Sequence, residues 1–219
     1  MTENTELIPI EVEFNEVVTK EYKEISNYIR PNEARMLIDA TDTPRDHLMF
    51  NVFWQTGGRV SEILTIRPID IAEAGIQMIT LKQRLSKKRR KSTGTWVDRP
   101  VPVLTKQVVR RNIPIKPELN AEIMKYAFDT RMQPEDRFFP ITSRRVEQIL
   151  DGLAMKCNIT YKKVHPHLFR HGFAVNFINQ GGSLDRLKKI LGHNHIQTTM
   201  MYLQLSDSDL KRDIDRMVF

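Results

Sequence analysis

Two β-type runs, Gly75–Lys82 and Val108–Ile115, are held apart by a segment dominated by basic side chains. This arrangement limits what the chain can fold into more than any other stretch of it. The first run carries Ile76, Met78, Ile79 and Leu81, and the second reads as its returning partner. Together they predict an antiparallel hairpin with a long, elaborated connection that has a short strand of its own around Arg99–Leu104. From Lys82 to Arg111 there are eleven Lys/Arg and one acid, Asp98, which gives this segment a charge of +10. The whole chain carries +7, so the remainder sums to −3, and residues 1–16 hold five glutamates and no basic residue. A positive charge so concentrated is the electrostatic footprint of a polyanion binder. A solvated loop or a localisation signal is the plainer reading of the same block.

Around this hairpin the chain reads as helical. One helix is predicted from near Pro31-Asn32 through Ala40, and Thr43-Pro44 supplies the N-cap and first turn of the next. That second helix carries Leu48, Phe50, Val52, Phe53 and Trp54 and stops at Gly57-Gly58. Arg59–Arg67 resumes helix until Pro68. From Glu118 onward Ser143 and Ser183 are expected N-caps, Pro166 a first-turn residue, and Gly181-Gly182 and Gly192 stops. The expected fold class is mainly α with a small antiparallel β-sheet. Residues 1–28 read as an acidic arm or linker remnant, with weak helical tendency near Phe14–Tyr28. Ser206–Phe219 reads as a helical tail.

At 219 residues the chain is long enough for one large domain or a compact pair, with a buried core. No apolar run approaches the ~20 residues of a membrane helix, and no signal-peptide pattern opens the sequence. Cys157 is the single cysteine, so an intrachain disulfide is impossible and a reducing cytoplasm fits. With no histidine within six residues of it, Cys157 reads as a partly buried thiol rather than a nucleophile.

Five of the six histidines fall between His165 and His195. Zinc is one reading of such a cluster, but no carboxylate or cysteine stands among them at ligand spacing, and Arg170 would set a fixed positive charge beside the metal. A structural reading, each ring satisfied by a backbone partner, suits His165, His171 and His195 individually. The third reading is a phosphodiester site. His167 and Arg170 at i,i+3 share a helix face, a guanidinium fork matches phosphate oxygens, and a histidine beside it exchanges protons near neutrality. Nine residues after His193 comes Tyr202, whose phenol needs a cation-rich site before it becomes a useful nucleophile.

The motifs that carry these residues resemble those of the tyrosine recombinase, or phage integrase, family. Thr56-Gly-Gly-Arg59-Val-Ser-Glu-Ile-Leu is similar to its first arginine box, His167-Leu-Phe-Arg170-His171-Gly-Phe-Ala to its His-x-x-Arg box, and Leu191-Gly-His193 through Thr198-Thr-x-x-Tyr202 to its terminal boxes. They occur in the family's order, and the resemblance covers about Ile29 to Ser206. It implies a tyrosine recombinase catalytic domain over 29–206, followed by a tail, 207–219, that docks onto a neighbouring subunit or onto its own domain. The implied catalytic set is Arg59, Lys82, His167, Arg170, His193 and Tyr202. Lys82 is preferred over Lys87, Lys88 and Lys91 because a strand end fixes position better than a loop does.

The resemblance further implies the roles. Tyr202 would attack the phosphorus and form a 3′-phosphotyrosyl link, and Arg59 and Arg170 would clamp the non-bridging oxygens. Lys82 would protonate the leaving 5′-oxygen, His167 would assist proton removal from Tyr202, and His193 would donate to the phosphate. Glu62, one turn after Arg59, is expected to orient an arginine or cap packing rather than react. No metal, nucleotide or other cofactor is implied. Arg84, Lys87, Lys88, Arg89, Arg90 and Lys91 are expected to grip DNA backbone. The expected partners are double-stranded DNA with paired recombination sites, further copies of the chain as a dimer to tetramer, and accessory DNA-binding proteins, in a cytoplasmic, nucleoid-associated setting without a membrane. Members of the family commonly carry a core-binding domain ahead of the catalytic one. Here residues 1–28 precede the first matching helix, so either the catalytic domain acts alone or another chain completes the grip. A type IB topoisomerase-like enzyme and a non-enzymatic DNA-binding regulator of the same fold are the alternatives.

Overall fold

Prolines and short polar side chains start the helices. The computed structural model describes residues 28–73, 75–83, 106–193 and 196–203. Helix α1, Pro31–Asp39, has proline in its first turn, and Glu33 folds back to accept from the Arg30 backbone N–H at 2.7 Å. Helix α2, Pro44–Thr56, starts as expected: Thr43 Oγ1 accepts from the Asp46 N–H at 3.2 Å, and Pro44 follows. Gly57 then closes α2 at φ 60°. There a side chain would be strained, and a Cβ would come within 2.4 Å of Phe173 Cδ1.

The next helix is shorter than expected. Only Val60–Ile63, α3, is helical, with Arg59 at its N-cap. Thr65 turns the chain out of it by returning both its N–H (3.1 Å) and its hydroxyl (2.7 Å) to the Glu62 carbonyl, tightening the last turn. Pro68 does not merely stop the helix but opens a 3₁₀ turn, Pro68–Asp70.

The sheet has three antiparallel strands in the order β1-β2-β3: Ile71–Ala72, Gly75–Gln83 and Lys106–Ile113. β2 and β3 are the predicted hairpin arms. β3 ends two residues earlier than the sequence reading, before Pro114, which has no N–H for the ladder. Register pairs Ile76 with Ile113 and Lys82 with Gln107, so Lys82 stands near the far end of β2. The short strand expected around Arg99–Leu104, the basic residues Arg84, Lys87, Lys88, Arg89, Arg90 and Lys91, the acidic arm and the C-terminal tail lie outside the described residues.

Four more helices follow: α4, Pro117–Asp129; α5, Ser143–Lys156; α6, Pro166–Asn179; and α7, Leu184–Leu191. Residues 197–203 form a further helical run. The cap of α5 is Thr142 rather than Ser143, its hydroxyl accepting from the Arg145 N–H at 3.2 Å. Ser183 caps α7 and Gly192 ends it at φ 65°, both as expected. Cys157 is the partly buried C-cap of α5, and burial pushes its thiol pKa up.

The main core lies where α2 crosses α6. Phe50, Phe53 and Phe169 are fully buried with ring centroids 5.6–6.2 Å apart. Each such side chain contributes about 1.5–3 kcal/mol by burial alone. This packing fixes the end of α2, and with it the Arg59 turn, against the helix that carries Arg170. A smaller cluster of Ala174, Val175, Leu187, Leu191 and Tyr202 joins α6 and α7 to the 197–203 helix. Among the described residues, no helix is long and apolar enough to cross a membrane.

Candidate active site

Two helix ends make the seat for Arg170. The last carbonyls of a helix lack intrahelical partners and sit at its negative pole. Arg170 Nη1 donates to the carbonyl of Gly57, which ends α2, and Nη2 to that of Leu191, the last residue of α7, each at 2.7 Å. The guanidinium is 4% exposed, and burial first, then neighbouring Arg59, lowers its pKa to about 10. It remains charged at neutral pH and is fixed in direction before any ligand arrives.

Arg59 and a second arginine are fixed by one carboxylate. Glu62 is 2% exposed; its Oε2 accepts from the Arg59 backbone N–H at 2.9 Å and its Oε1 from Arg59 Nη1 at 3.1 Å. Arg111, from β3, forks onto the same carboxylate at 2.9 and 2.6 Å, and its Nε donates to the Ile190 carbonyl at 2.8 Å. Glu62 thus orients two arginines, where the sequence pointed to one. Arg111 ties the sheet to the C-terminal end of α7, beside Gly192.

His193 links this arginine group to the helix that bears the tyrosine. Its Nε2 lies 3.0 Å from Arg170 Nη2, and its Nδ1 lies 2.9 Å from Thr199 Oγ1. Because arginine only donates, Nε2 must accept, so the proton is on Nδ1 and points to Thr199. Burial, and then Arg170 and Arg59, hold the His193 pKa down to about 3. The ring is neutral, and in this geometry Nε2 has no proton to give a phosphate.

Tyr202 is 2% exposed. The nitrogen within hydrogen-bond distance of its hydroxyl is Nδ1 of His171, at 2.9 Å, not a nitrogen of His167. Burial pushes the phenol up to about 12, against the pull of Arg170 and Arg59. His171 is pressed down to about 4 by burial, then His167, Arg170 and His165. His167, one turn earlier on α6, keeps part of its surface open to solvent, and the partial burial of its ring, then Arg170 and Arg59, lower its pKa.

The fold therefore gathers Arg59, His167, Arg170, His193 and Tyr202 of the sequence-predicted set. Lys82 is placed only by its strand register, and the loop lysines lie outside the described residues. Arg111, Thr199 and the His171–Tyr202 contact were not anticipated. Among the described residues no group of three or more His, Cys, Asp or Glu side chains is arranged to hold a metal ion. Of the described histidines in this cluster, His165 and His167 stand at the mouth of α6, His171 meets Tyr202 and His193 meets Arg170.

A model of the phage integrase family matches residues 27–209. The chain belongs to that family. Among its relatives is the tyrosine recombinase XerC of Bacillus pumilus, 26% identical over 198 residues that cover 88% of this chain and 62% of the relative. The crystal structure of XerA recombinase superposes with a TM-score of 0.62 at 25% identity, over 88% of this chain and 64% of that one. The catalytic domain of bacteriophage HP1 integrase superposes with a TM-score of 0.56 at 23% identity, over 86% of this chain and 94% of that domain, and so shares the fold. This phage integrase chain spans about three-fifths of the length of the XerC relative. Its expected fold, mainly α with a small antiparallel sheet, is the one these structures share.

Proposed function

We propose that this chain is the catalytic domain of a site-specific DNA recombinase that cleaves and rejoins strands through a 3′-phosphotyrosyl intermediate. The observation that carries the reading is the meeting of Arg59 from the α3 turn, Arg170 from α6, His193 after α7 and Tyr202 from the following helix in one electrostatic neighbourhood. Two preoriented guanidinium groups suit the non-bridging oxygens of a phosphodiester, where charge grows as phosphorus becomes five-coordinate. Tyr202 Oη bonds to phosphorus, a histidine of α6 takes its proton, and the P–O5′ bond breaks as Lys82 protonates the leaving oxygen. The phosphotyrosyl link keeps the bond energy, so a second 5′-hydroxyl reverses the step on a new partner strand without a metal or nucleotide cofactor.

The basic segment between β2 and β3, with Arg84, Lys87, Lys88, Arg89, Arg90 and Lys91, supplies sequence-independent grip on duplex DNA. Copies of the chain assemble on paired sites in the cytoplasm at the nucleoid, with accessory DNA-binding proteins setting direction. The test is a supercoiled plasmid carrying two copies of a duplex selected from random sequence for binding this chain, incubated with excess EDTA. Joined recombinant circles or inverted segments support the reading. Relaxation without exchange would mark a topoisomerase, and binding without cleavage a regulator.

A further inference from the structure

We propose that His171, rather than His167, is the group that receives the phenolic proton of Tyr202 when the tyrosine attacks. The proposal rests on the reading of Tyr202 as nucleophile and adds a catalytic residue to it.

The two histidines stand one helical turn apart on the same face of α6, and the structure divides their tasks. His167 is exposed and feels Arg170 and Arg59, which places it on the arginine side of the site. His171 turns its Nδ1 to Tyr202 Oη at 2.9 Å, with the two rings 5.8 Å apart and tilted by 45°. The hydroxyl is almost fully buried, and a buried polar group depends on its partner. His171 therefore touches the atom that would bond to phosphorus.

The protonation states fit an acceptor. The groups facing His171 are His165, His167 and Arg170 on α6 and its lead-in, and Tyr202 across from it; His193 lies in the same field. Burial first, and then the histidines and Arg170, oppose an imidazolium, so the ring stays neutral, with one nitrogen free to accept, down to about pH 4. The phenol, raised to about 12, keeps its proton at rest. With the imidazole proton on Nε2, the tautomer that the proposal requires, the resting bond runs from Tyr202 O–H to His171 Nδ1. As an Oη lone pair forms the bond to phosphorus, the phenolic proton turns strongly acidic and passes to Nδ1. The P–O5′ bond breaks and O5′ takes its proton from Lys82. The phosphate charge then balances the new imidazolium, and in rejoining His171 returns the proton to Oη.

Two measurements on the full chain test this. In ¹⁵N-histidine NMR of the DNA-free protein at pH 7, His171 Nδ1 should be unprotonated, with a shift that changes in Tyr202→Phe. A proton found on Nδ1 would overturn the proposal. The second uses a pool of nicked duplexes randomised around the nick, with covalent protein–DNA adduct read on a denaturing gel. His171→Ala should lower the adduct rate about 100-fold, within the usual range for a general base. Added imidazole should restore part of it to His171→Ala and none to His167→Ala; the reverse pattern overturns the proposal. His171→Asn keeps a polar group of similar size but cannot take a proton. Its rate should climb with pH where the wild-type rate is level, and a profile matching wild type is a contrary result. Tyr202→Phe separates the two readings. If it abolishes adduct while His171→Ala is undiminished, His171 falls and Tyr202 stands. Adduct persisting in Tyr202→Phe removes the nucleophile assignment itself.

Discussion

His193 Nδ1 stands 2.9 Å from Thr199 Oγ1 while its Nε2 takes a hydrogen bond from Arg170. Thr199 is fully buried and precedes Tyr202 by three residues, so one imidazole joins the arginine seat to the helix that carries Tyr202. Thr199→Val keeps the shape and removes the acceptor, leaving a buried N–H unpaired at about 1–3 kcal/mol. Adduct formation should slow by roughly tenfold, the equivalent of about 1.4 kcal/mol. Thr198→Val, on the exposed neighbour, should leave the rate as it is; equal effects at both positions would contradict the link.

Glu62 holds two arginines at 2% exposure, and removing one member of a buried charge group leaves the others uncompensated. Glu62→Ala should destabilise by about 3–5 kcal/mol in urea unfolding. Arg111→Met should cost less, because Glu62 keeps Arg59 as its partner. If Glu62→Ala costs under about 1 kcal/mol, a figure typical of surface ion pairs, the carboxylate is not the fixed centre described.

Acid should loosen the site before it unfolds the rest. His171 and His193 titrate at about 4 and about 3 in the folded chain, against an ordinary value of about 6.5. The unfolded chain therefore binds more protons below about pH 6.5, and the stability from keeping these rings neutral is lost as pH falls through 4 and 3. On the alkaline side Tyr202, raised to about 12, gives stability that is lost as pH climbs from about 10. Melting temperature should fall from pH 7 to pH 4.5, and His193→Asn should show a smaller fall. An unchanged pH dependence in that variant would refute the assignment.

Lys82 pairs with Gln107 near the end of β2, where a strand holds its backbone in place. A 5′-phosphorothiolate leaving group needs little protonation, so this substrate should rescue Lys82→Ala and not Arg170→Ala. Rescue of Lys87→Ala or Lys88→Ala, with Lys82→Ala still inactive, would move the acid into the loop.

The sequence revealed the elements whose starts and stops are local. Thr43-Pro44, Ser183 and Gly192 act at the helix ends where their chemistry places them. It was less informative where neighbours look alike. Arg110 and Arg111 are adjacent in a basic run, yet Arg110 is exposed and Arg111 is turned inward to Glu62, a choice made by the register against β2. Thr198 and Thr199 differ in the same way, and only the packing of their helix separates them. The histidine facing Tyr202 could not be read from spacing, since His167 and His171 share one helix face. The early end of α3 arose from Thr65 bonding back to Glu62, a competition that helical periodicity does not register.

The central claim is that Tyr202 becomes covalently joined to DNA. A nicked suicide duplex built from a sequence selected for binding this chain should trap a protein–DNA adduct with the wild-type chain, and peptide mapping should place the phosphate on Tyr202. Tyr202→Phe should give no adduct while still binding the duplex. An undiminished adduct in that variant, or a phosphate mapped to Tyr22, Tyr28, Tyr126 or Tyr161, would contradict the account.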